Sequence, residues 1–425
     1  MKFLSGPGVV IEGAPEGVAP VLLFGHSGTP GVASAGAAAR QRIKQRKLIP
    51  SVAAWDLLSV ALSAVVADGA VKRSVSPDGW TRQIELQVAM SDPDLWATQT
   101  TALTEAFGFL TTDIWQLEFL AGAELPEPPK KPNHPVADAV GLLSGGLDSL
   151  IGTIDLNAGG NKVLAVSKTV RGDSDSQKRF AKVIGGGLEQ LQLNDNASTP
   201  RSVKETSQRS RSLIFLAFAV VAATTLERYR DGETVPLYIC ENGFIAINPP
   251  LTDARLGSLS TRTAHPDFLS RMQSIFDALD LRIKIKNPYA EKTKGEMLKE
   301  CLDQNLLTSE ASESTSCGRF QRFNYRHCGR CVPCQIRRAA FVAWGVEDTT
   351  SYVYEDLGQA DEDHAAFDDV RSVAMALSSV EQDGLDRWLG ASLSSPRISN
   401  RQALRDMIQR GLSELDTLHS RYGVS

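Results

Sequence analysis

The sequence lacks the long apolar runs that mark membrane proteins and secreted precursors. Its longest purely apolar stretch, Leu213–Ala223, is too short to span a bilayer and predicts a buried helix. Residues 1–13 contain one lysine, and glycine and proline interrupt them before an apolar core of useful length, so they do not resemble a secretory signal. We therefore expect a cytoplasmic protein without a membrane partner.

The sequence also lacks an excess of positive charge. Its formal net charge is -5, with 22% charged residues. A general nucleic-acid coat is excluded, because such proteins need a basic excess to neutralise phosphates, although a local basic groove stays open. The 42% hydrophobic content is that of a soluble globular protein. Its 425 residues exceed one ordinary domain, so two or three domains are expected.

Cysteine is scarce outside one short stretch. Two of the six cysteines, Cys240 and Cys301, stand alone and are expected to be ordinary buried residues, whereas the other four follow a Cys-x10-Cys-x2-Cys-x2-Cys spacing. In a cytoplasmic chain this clustering favours a metal over disulfides, and four thiolates suit a structural Zn²⁺. The predicted ligands are Cys317, Cys328, Cys331 and Cys334. An iron–sulfur cluster and four free buried cysteines stay open as alternatives.

Three regions are expected along the chain. Residues 1–130 predict an α+β accessory domain, residues 131–345 alternate short apolar strands with helices, and residues 346–425 predict a helical C-terminal region. The alternation in the second region is typical of a Rossmann-like parallel sheet in an α/β fold. The predicted strands are Val18–Phe24, Trp80–Met90, Ile114–Leu120, Ala139–Leu143, Lys162–Val166, Pro236–Cys240 and Arg282–Lys286. The predicted helices are Ala53–Val71, Asp94–Phe107, Leu147–Asn157, Ser176–Gln192, Ser207–Tyr229, Asp267–Leu279 and Lys292–Asn305.

Acidic residues dominate the start of the third region. Between Glu347 and Asp369 the chain has nine acidic and no basic residues. A charge run of this kind usually forms a solvated face, and the alternative is a docking surface for a basic partner.

A glycine-containing loop joins the first strand of the second region to a helix. The apolar strand Ala139–Leu143 runs directly into Ser144–Ser149, whose sequence is SGGLDS. Glycines let backbone N–H groups approach an anion, and a helix N-terminus adds the positive end of its dipole. Ser144 and Ser149 add hydroxyl donors, while Asp148 can cap the helix or hold Mg²⁺. The alternative is a tight strand-to-helix turn with Asp148 as its cap.

With the preceding leucine, this loop resembles the PP-loop of the N-type ATP pyrophosphatases. That family's enzymes cleave ATP between the α- and β-phosphates and adenylylate a carbonyl or carboxylate oxygen. The loop lacks the Gly-Lys-Ser/Thr ending of a Walker A motif, so γ-phosphate transfer is not implied. The predicted ATP-binding residues are Leu143, Ser144, Gly145, Gly146, Leu147, Asp148 and Ser149.

The loop and the cysteine cluster together resemble QueC, the 7-cyano-7-deazaguanine synthase family. Segments at Arg211–Leu216, Asn287–Glu296 and Arg337–Phe341 also match the family's pattern, and the resemblance covers roughly residues 138–345. It implies ATP-dependent adenylylation of the carboxylate of 7-carboxy-7-deazaguanine, then attack by ammonia, with Zn²⁺ as a structural element. The catalytic residues that it implies are Asp148, Ser149, Lys294 and Arg211. The two cations would neutralise phosphate or carboxylate charge.

Several segments depart from the QueC pattern. Ser212 replaces a usual Asn, and Asp175–Arg179 replaces a Gly-Gln-Arg-His-like segment. Glu241–Pro250 replaces a glycine-rich, Asp-containing substrate loop, and His265–Asp267 is a reduced Tyr-Pro-Asp-Cys-Arg element. Nucleotide chemistry is therefore expected to be retained, whereas base recognition and the fate of the adenylate can differ.

The N-terminal extension and the total length resemble QatC, the QueC-like component of the Qat anti-phage system. This resemblance implies other proteins of a defence system as partners and an amine on a partner protein as a possible acceptor. Two other functions stay open. One is a PP-loop enzyme that modifies tRNA or another nucleic acid, with Cys240 as its catalytic cysteine. The other is a non-catalytic nucleotide-binding scaffold, which the intact Ser144, Asp148 and Ser149 disfavour.

Overall fold

The computed structural model describes residues 1–200, 205–206, 209–252, 262–358 and 369–424. Two five-stranded sheets form its frame, and every strand pairing within them is parallel. The strands are β1 (Lys2–Gly6), β2 (Val18–Gly25), β3 (Ala33–Gly36), β4 (Gln83–Met90), β5 (Ile114–Ala121), β6 (Ala139–Leu142), β7 (Val163–Lys168), β8 (Gln190–Leu193), β9 (Val235–Tyr238) and β10 (Ile283–Lys286). The parallel sheets confirm the α/β fold class.

Helices connect and cover these strands. They are α1 (Gly8–Ile11), α2 (Ala37–Gln45), α3 (Val52–Ala70), α4 (Pro93–Ala97), α5 (Thr100–Thr111), α6 (Leu147–Ala158), α7 (Ser174–Val183), α8 (Arg211–Thr224), α9 (Glu227–Arg230), α10 (Gly243–Ile247), α11 (Pro266–Ala278), α12 (Lys294–Glu300), α13 (Gln304–Glu310), α14 (Val332–Trp344), α15 (Asp369–Asp383), α16 (Leu385–Leu389) and α17 (Arg401–Arg421). Short 3-10 helices lie at Arg73–Val75, Ile184–Gly186, Ala311–Glu313 and Phe320–Phe323.

The first sheet corrects the expected architecture of residues 1–130. Its strand order is β3-β2-β1-β4-β5, and because all its pairings are parallel this unit is α/β rather than α+β. The expectation was wrong because it lacked β1 and β3. The sequence of β3, ASAG, contains no β-branched or aromatic side chain, so it carries none of the usual strand signal.

The second sheet places two loops at one crevice. Its strand order is β10-β9-β6-β7-β8, so the chain runs outward in opposite directions from the adjacent pair β6 and β9. In open parallel sheets, ligands bind outside the carboxyl ends of the strands where the strand order reverses. The loops that follow β6 and β9 therefore flank the expected ligand site.

One predicted helix is shorter than expected and gives way to a strand. The prediction extended it over Ser176–Gln192, but α7 ends at Val183 and β8 begins at Gln190. Three consecutive glycines, Gly185–Gly187, adopt φ angles of 59°, 77° and 124°. This left-handed backbone ends the helix, and the alternating sequence QLQL then enters the sheet.

Three other predicted helices are each divided in two. Asp94–Phe107 is α4 and α5, and Lys292–Asn305 is α12 and α13. The second division has a local cause, because the Asp303 side chain accepts a hydrogen bond from Leu306 N and caps a new helix. Ser207–Tyr229 is α8 and α9, and its first two residues lie outside the described part of the chain.

The two sheets share a hydrophobic core. Helices α3 and α8 pack against each other, and a continuous cluster of buried residues includes strands of both sheets. Among the described residues, α3 is long and apolar enough to cross a membrane, but 89% of its most apolar window is buried inside the protein. This burial is that of a core helix and is consistent with a soluble protein.

A buried polar network attaches the start of α8 to the first unit. Oδ2 of Asp68 accepts hydrogen bonds from Arg209 N at 2.7 Å, Ser210 N at 2.8 Å and Ser210 Oγ at 2.8 Å. Its Oδ1 pairs with Arg82 at 2.6 Å, and Arg82 also pairs with Asp113. The cap residue of α8 makes no side-chain capping hydrogen bond, and the first turn has no acidic residue. Asp68, on α3, thus supplies the carboxylate at this helix N-terminus.

The helical C-terminal region is confirmed. Helices α15, α16 and α17 form a third hydrophobic cluster together with residues of α10 and α14. Helix α17 packs along α14 and also contacts α12. This position brings the C-terminal region to the helices that carry the candidate site.

Candidate active site

The loop between β6 and α6 is held by its two serines. Ser149 Oγ accepts from Ser144 N at 3.2 Å, lies 3.1 Å from Ser144 Oγ and donates to Gly146 O at 2.9 Å. Ser144 Oγ in turn accepts from Gly146 N at 3.3 Å. These bonds fold the loop over the first turn of α6, where a bound phosphate would meet backbone N–H groups.

Gly145 is required by the shape of the loop. Its φ is +91°, and an added Cβ would lie 3.2 Å from Asp173 O. Thr315 N donates to Gly145 O at 2.9 Å, which ties the loop to the segment before the cysteines. The backbone strain and the crowding together favour glycine at this position.

A buried ion pair lies at the start of α6. Lys294 Nζ is 2.5 Å from Asp148 Oδ1, and each residue is only 6% exposed. Asp148 Oδ2 accepts from the side chain of Asn242 at 2.7 Å and from its backbone N at 3.2 Å. Lys294 and Asn242 therefore both orient Asp148. The alternative role of Asp148 as a Mg²⁺ ligand stays a prediction.

The helix that carries Lys294 is fixed at its N-terminus. Thr293 and Glu296 form a capping box, in which each side chain accepts from the backbone N of the other residue. Glu414 of α17 accepts from Thr293 Oγ1 and, at 3.3 Å, from Gly295 N. The C-terminal helix thus helps to position Lys294.

Glu241 is a second carboxylate at this site. It lies in the loop that follows β9. Asn287 Nδ2 donates to its backbone carbonyl at 2.9 Å. Burial, the charge of Asp148 and a hydrogen bond to that carboxylate raise the pKa of Glu241 to about 8, against the opposing charge of Lys294. Glu241 therefore keeps its proton to a higher pH than an ordinary glutamic acid does.

The four clustered cysteines form one compact set. Their sulfur atoms all lie within 4.8 Å of one another, with Cys317 to Cys331 at 3.9 Å and Cys328 to Cys334 at 3.8 Å. Tetrahedral Zn²⁺ with Zn–S bonds of about 2.3 Å requires sulfur separations of about 3.8 Å. The donor set therefore fits one tetrahedral ion, whereas a cluster that bonds each cysteine to a different iron requires wider spacing.

One cavity connects the loop, the ion pair and the cysteines. It encloses about 560 Å³, a volume within the usual range for ligand pockets. Among the residues that line it are Ser144, Gly146, Leu147, Asp148, Ser149, Glu241, Lys294, Thr315, Cys317, Arg319, Cys331 and Asp369. Most of the predicted site residues are thus brought together.

Arg211 lies elsewhere. It is the exposed first residue of α8 and lines a separate cavity of about 330 Å³ with Lys168 and Asp195. Lys168 Nζ pairs with Asp195 at 3.0 Å. Arg211 is electrostatically coupled to Asp173, which packs beside Gly145, but it does not line the cavity that holds Lys294. Its role in charge neutralisation stays a prediction.

The surroundings of Cys240 do not favour a reactive thiol. Cys240 packs so closely against α6 that a Cβ on Gly152 would lie 2.2 Å from its sulfur. Burial raises its pKa, and the nearby carboxylates of Asp155 and Asp148 raise it further. Because the thiolate is the nucleophile, this environment disfavours the nucleic-acid-modifying alternative that depends on Cys240.

Sequence reasoning missed the contributions of Glu241, Asn242 and Asp369. The first two follow the end of β9, and the rule that ligands bind at carboxyl ends next to the reversal in strand order could have indicated them. Asp369 had no such signal. Its Oδ2 accepts from Val332 N at 3.1 Å, a contact between segments far apart in the chain.

Comparison with known proteins shows the family to which this chain is related. The family described as "Queuosine biosynthesis protein QueC" matches residues 263–345, which hold Lys294 and all four clustered cysteines. A 7-cyano-7-deazaguanine synthase of Methanococcus aeolicus is 25% identical over 235 residues, covering 51% of this chain and 99% of that protein. Another of Rhizobium etli is 31% identical over 185 residues, covering 42% of this chain and 69% of that protein. This chain belongs to the QueC family.

The match also shows how this QueC-family chain differs from those relatives. The synthase of Methanocaldococcus jannaschii is 24% identical over 253 residues, which cover 51% of this chain and 99% of that protein. Nearly the whole of that relative therefore corresponds to about half of this chain. Along the chain, the strands of the first sheet precede those of the second sheet, and the C-terminal helices follow them.

Proposed function

We propose that this protein is an ATP-using synthase that adenylylates the carboxylate of a 7-carboxy-7-deazaguanine-type substrate. Pyrophosphate leaves in this step, and an amine then displaces AMP. The observation that carries the proposal is the single cavity that joins the Ser144–Ser149 loop, the Asp148–Lys294 pair and the cysteine cluster. QueC relatives named 7-cyano-7-deazaguanine synthase supply the substrate class.

Different residues of the cavity are proposed to have different roles in the adenylylation step. Ser144–Ser149 holds the phosphates of MgATP through backbone N–H groups and hydroxyls. Lys294, oriented by Asp148, stabilises negative charge that develops as the carboxylate oxygen attacks the α-phosphorus. Mg²⁺ enters with ATP as part of the substrate and offsets phosphate charge. Arg211 is proposed to act on the same charge through its electrostatic effect near the loop.

The cysteine cluster is proposed to hold Zn²⁺ through Cys317, Cys328, Cys331 and Cys334. All four positions of a tetrahedral ion would be filled by protein, so the ion would supply rigidity rather than chemistry. Cys317 and Cys331 line the cavity, and fixing them would fix one wall of the substrate site.

The acceptor and the biological setting are also proposals. Support comes from the half of the chain that the archaeal relatives do not cover and from the resemblance to QatC. We propose a cytoplasmic anti-phage defence protein that works with other proteins of its system, with an amine of a partner protein as the acceptor. In the absence of that partner, ammonia is the simplest amine that the activated carboxylate can meet.

The test is substrate-dependent formation of AMP and pyrophosphate from ATP. Purified protein with 7-carboxy-7-deazaguanine should produce both, and the Asp148→Ala/Ser149→Ala variant should lose at least about 100-fold of this rate because it removes loop-fixing and charge-orienting groups. The control is Asp416→Ala/Thr417→Ala, an adjacent acid–hydroxyl pair on the exposed face of α17. Undiminished AMP and pyrophosphate from the loop variant would refute the assignment.

A further inference from the structure

The loop after β9 presents a carboxylate that the adenylylation step does not use. Glu241 lines the cavity beside the Asp148–Lys294 pair. Asn287 holds its backbone on both sides, because Glu241 N donates to Asn287 Oδ1 at 3.4 Å and Asn287 Nδ2 donates to Glu241 O at 2.9 Å. A clamped backbone at the edge of a ligand cavity gives this side chain a defined position.

We propose that Glu241 is the general base that accepts the proton of the attacking amine, an inference that rests on the proposed function. The amine nitrogen forms a C–N bond to the carbonyl carbon of the acyl-adenylate. The bond from that carbon to the AMP oxygen breaks, and AMP leaves with the electron pair. The proton lost by nitrogen passes to the Glu241 carboxylate and then to solvent.

The position of Glu241 fits the acyl end of the intermediate. The phosphate loop ends at the start of α6, where Asp148 lies, so the proposed adenylate would form beside Asp148. Glu241 interacts with Asp148 and lies in the loop after β9, whereas the phosphate-binding loop follows β6. Glu241 thus lines the same cavity in which the proposed adenylate forms and which the amine must enter.

The electrostatic surroundings suit a base near neutral pH. Asp148 on α6 and Lys294 on α12 act electrostatically on Glu241, and Arg319 and Asp369 also line the cavity. Burial and Asp148 raise the pKa of Glu241 to about 8, with Lys294 opposing them. A base whose pKa lies near the working pH combines adequate ionisation with useful basicity.

The experiment separates the two half-reactions in Glu241→Gln. Isotope exchange between pyrophosphate and ATP in the presence of 7-carboxy-7-deazaguanine reports adenylylation, and amide formation with ammonium at pH 7 reports amine attack. We expect near-normal exchange but about 100-fold slower amide formation, the typical loss on removing a general base. Hydroxylamine, which is unprotonated at neutral pH, should restore product formation. Glu12→Gln, at an exposed position of the first unit, is the matched control.

The pH profile gives a second readout. At a fixed concentration of free ammonia, amide formation by the wild type should rise with pH and level off above the Glu241 pKa of about 8. Under the same conditions Glu241→Gln should lack this rise. Equal loss of exchange and amide formation, or no rescue by hydroxylamine, would overturn the base role. Absence of exchange in the wild type would instead refute the proposed function itself.

Discussion

At the scale of single residues, the centre of the site is the buried pair of Asp148 and Lys294. The two residues are far apart in the sequence. The loop pattern itself placed Asp148 at the site, whereas only the resemblance to family segments predicted Lys294. Their 2.5 Å contact follows from the fold, which brings the start of α12 against the start of α6. The sequence identified Glu241 only as part of a segment that departs from the family pattern, because the strand order that places it at the site came from the fold.

Because Asp148 and Lys294 form a buried ion pair, we expect removal of one charge to lower both stability and activity. Lys294→Met leaves Asp148 buried without its cation, so the free energy of unfolding should fall by about 3 kcal/mol or more. The same change should abolish AMP formation. Urea denaturation and an AMP assay measure the two effects.

The double variant Asp148→Asn/Lys294→Met is the control for this prediction. It removes both charges and leaves no unpaired ion, so it should recover most of the lost stability without recovering activity. Full activity of the double variant, or unchanged stability of Lys294→Met, would show that the pair has no such role.

At the scale of elements, the ends of helices and strands position the residues of the site. The N-termini of α6 and α12 meet in one cavity, and α17 holds the second through Glu414. Strong local signals made the strand–loop–helix unit at Ser144–Ser149 predictable. The acidic contact from α17 was not predictable, because it joins segments 119 residues apart.

The cysteine element predicts a metal that contributes to stability. We expect one colourless ion of Zn²⁺ per chain by elemental analysis, and a lower midpoint of thermal unfolding after its removal, because a filled structural site stabilises the folded state. Cys334→Ser should lose the metal, since Cys334 is fully buried within the set. Cys301→Ser, a buried cysteine outside the cluster, should retain it. Brown protein containing iron would contradict the zinc assignment.

At the scale of the whole molecule, the first unit is not a loosely attached addition. It shares a hydrophobic core with the second sheet, and its Asp68 holds the start of α8, the helix that begins with Arg211. The expected boundaries at residues 130 and 345 stay a prediction. The sequence indicated that three regions exist, but such packing depends on contacts between distant segments that local patterns do not encode.

The central claim is that a carboxylate oxygen of the substrate attacks the α-phosphorus of ATP. The most direct measurement uses 7-carboxy-7-deazaguanine whose carboxylate carries heavy oxygen, with mass spectrometry of the released nucleotide. Attack forms a bond from the labelled oxygen to phosphorus, and amine attack then breaks its bond to carbon. The account predicts AMP that carries one labelled oxygen. Unlabelled AMP, or ADP as the nucleotide product, would contradict it.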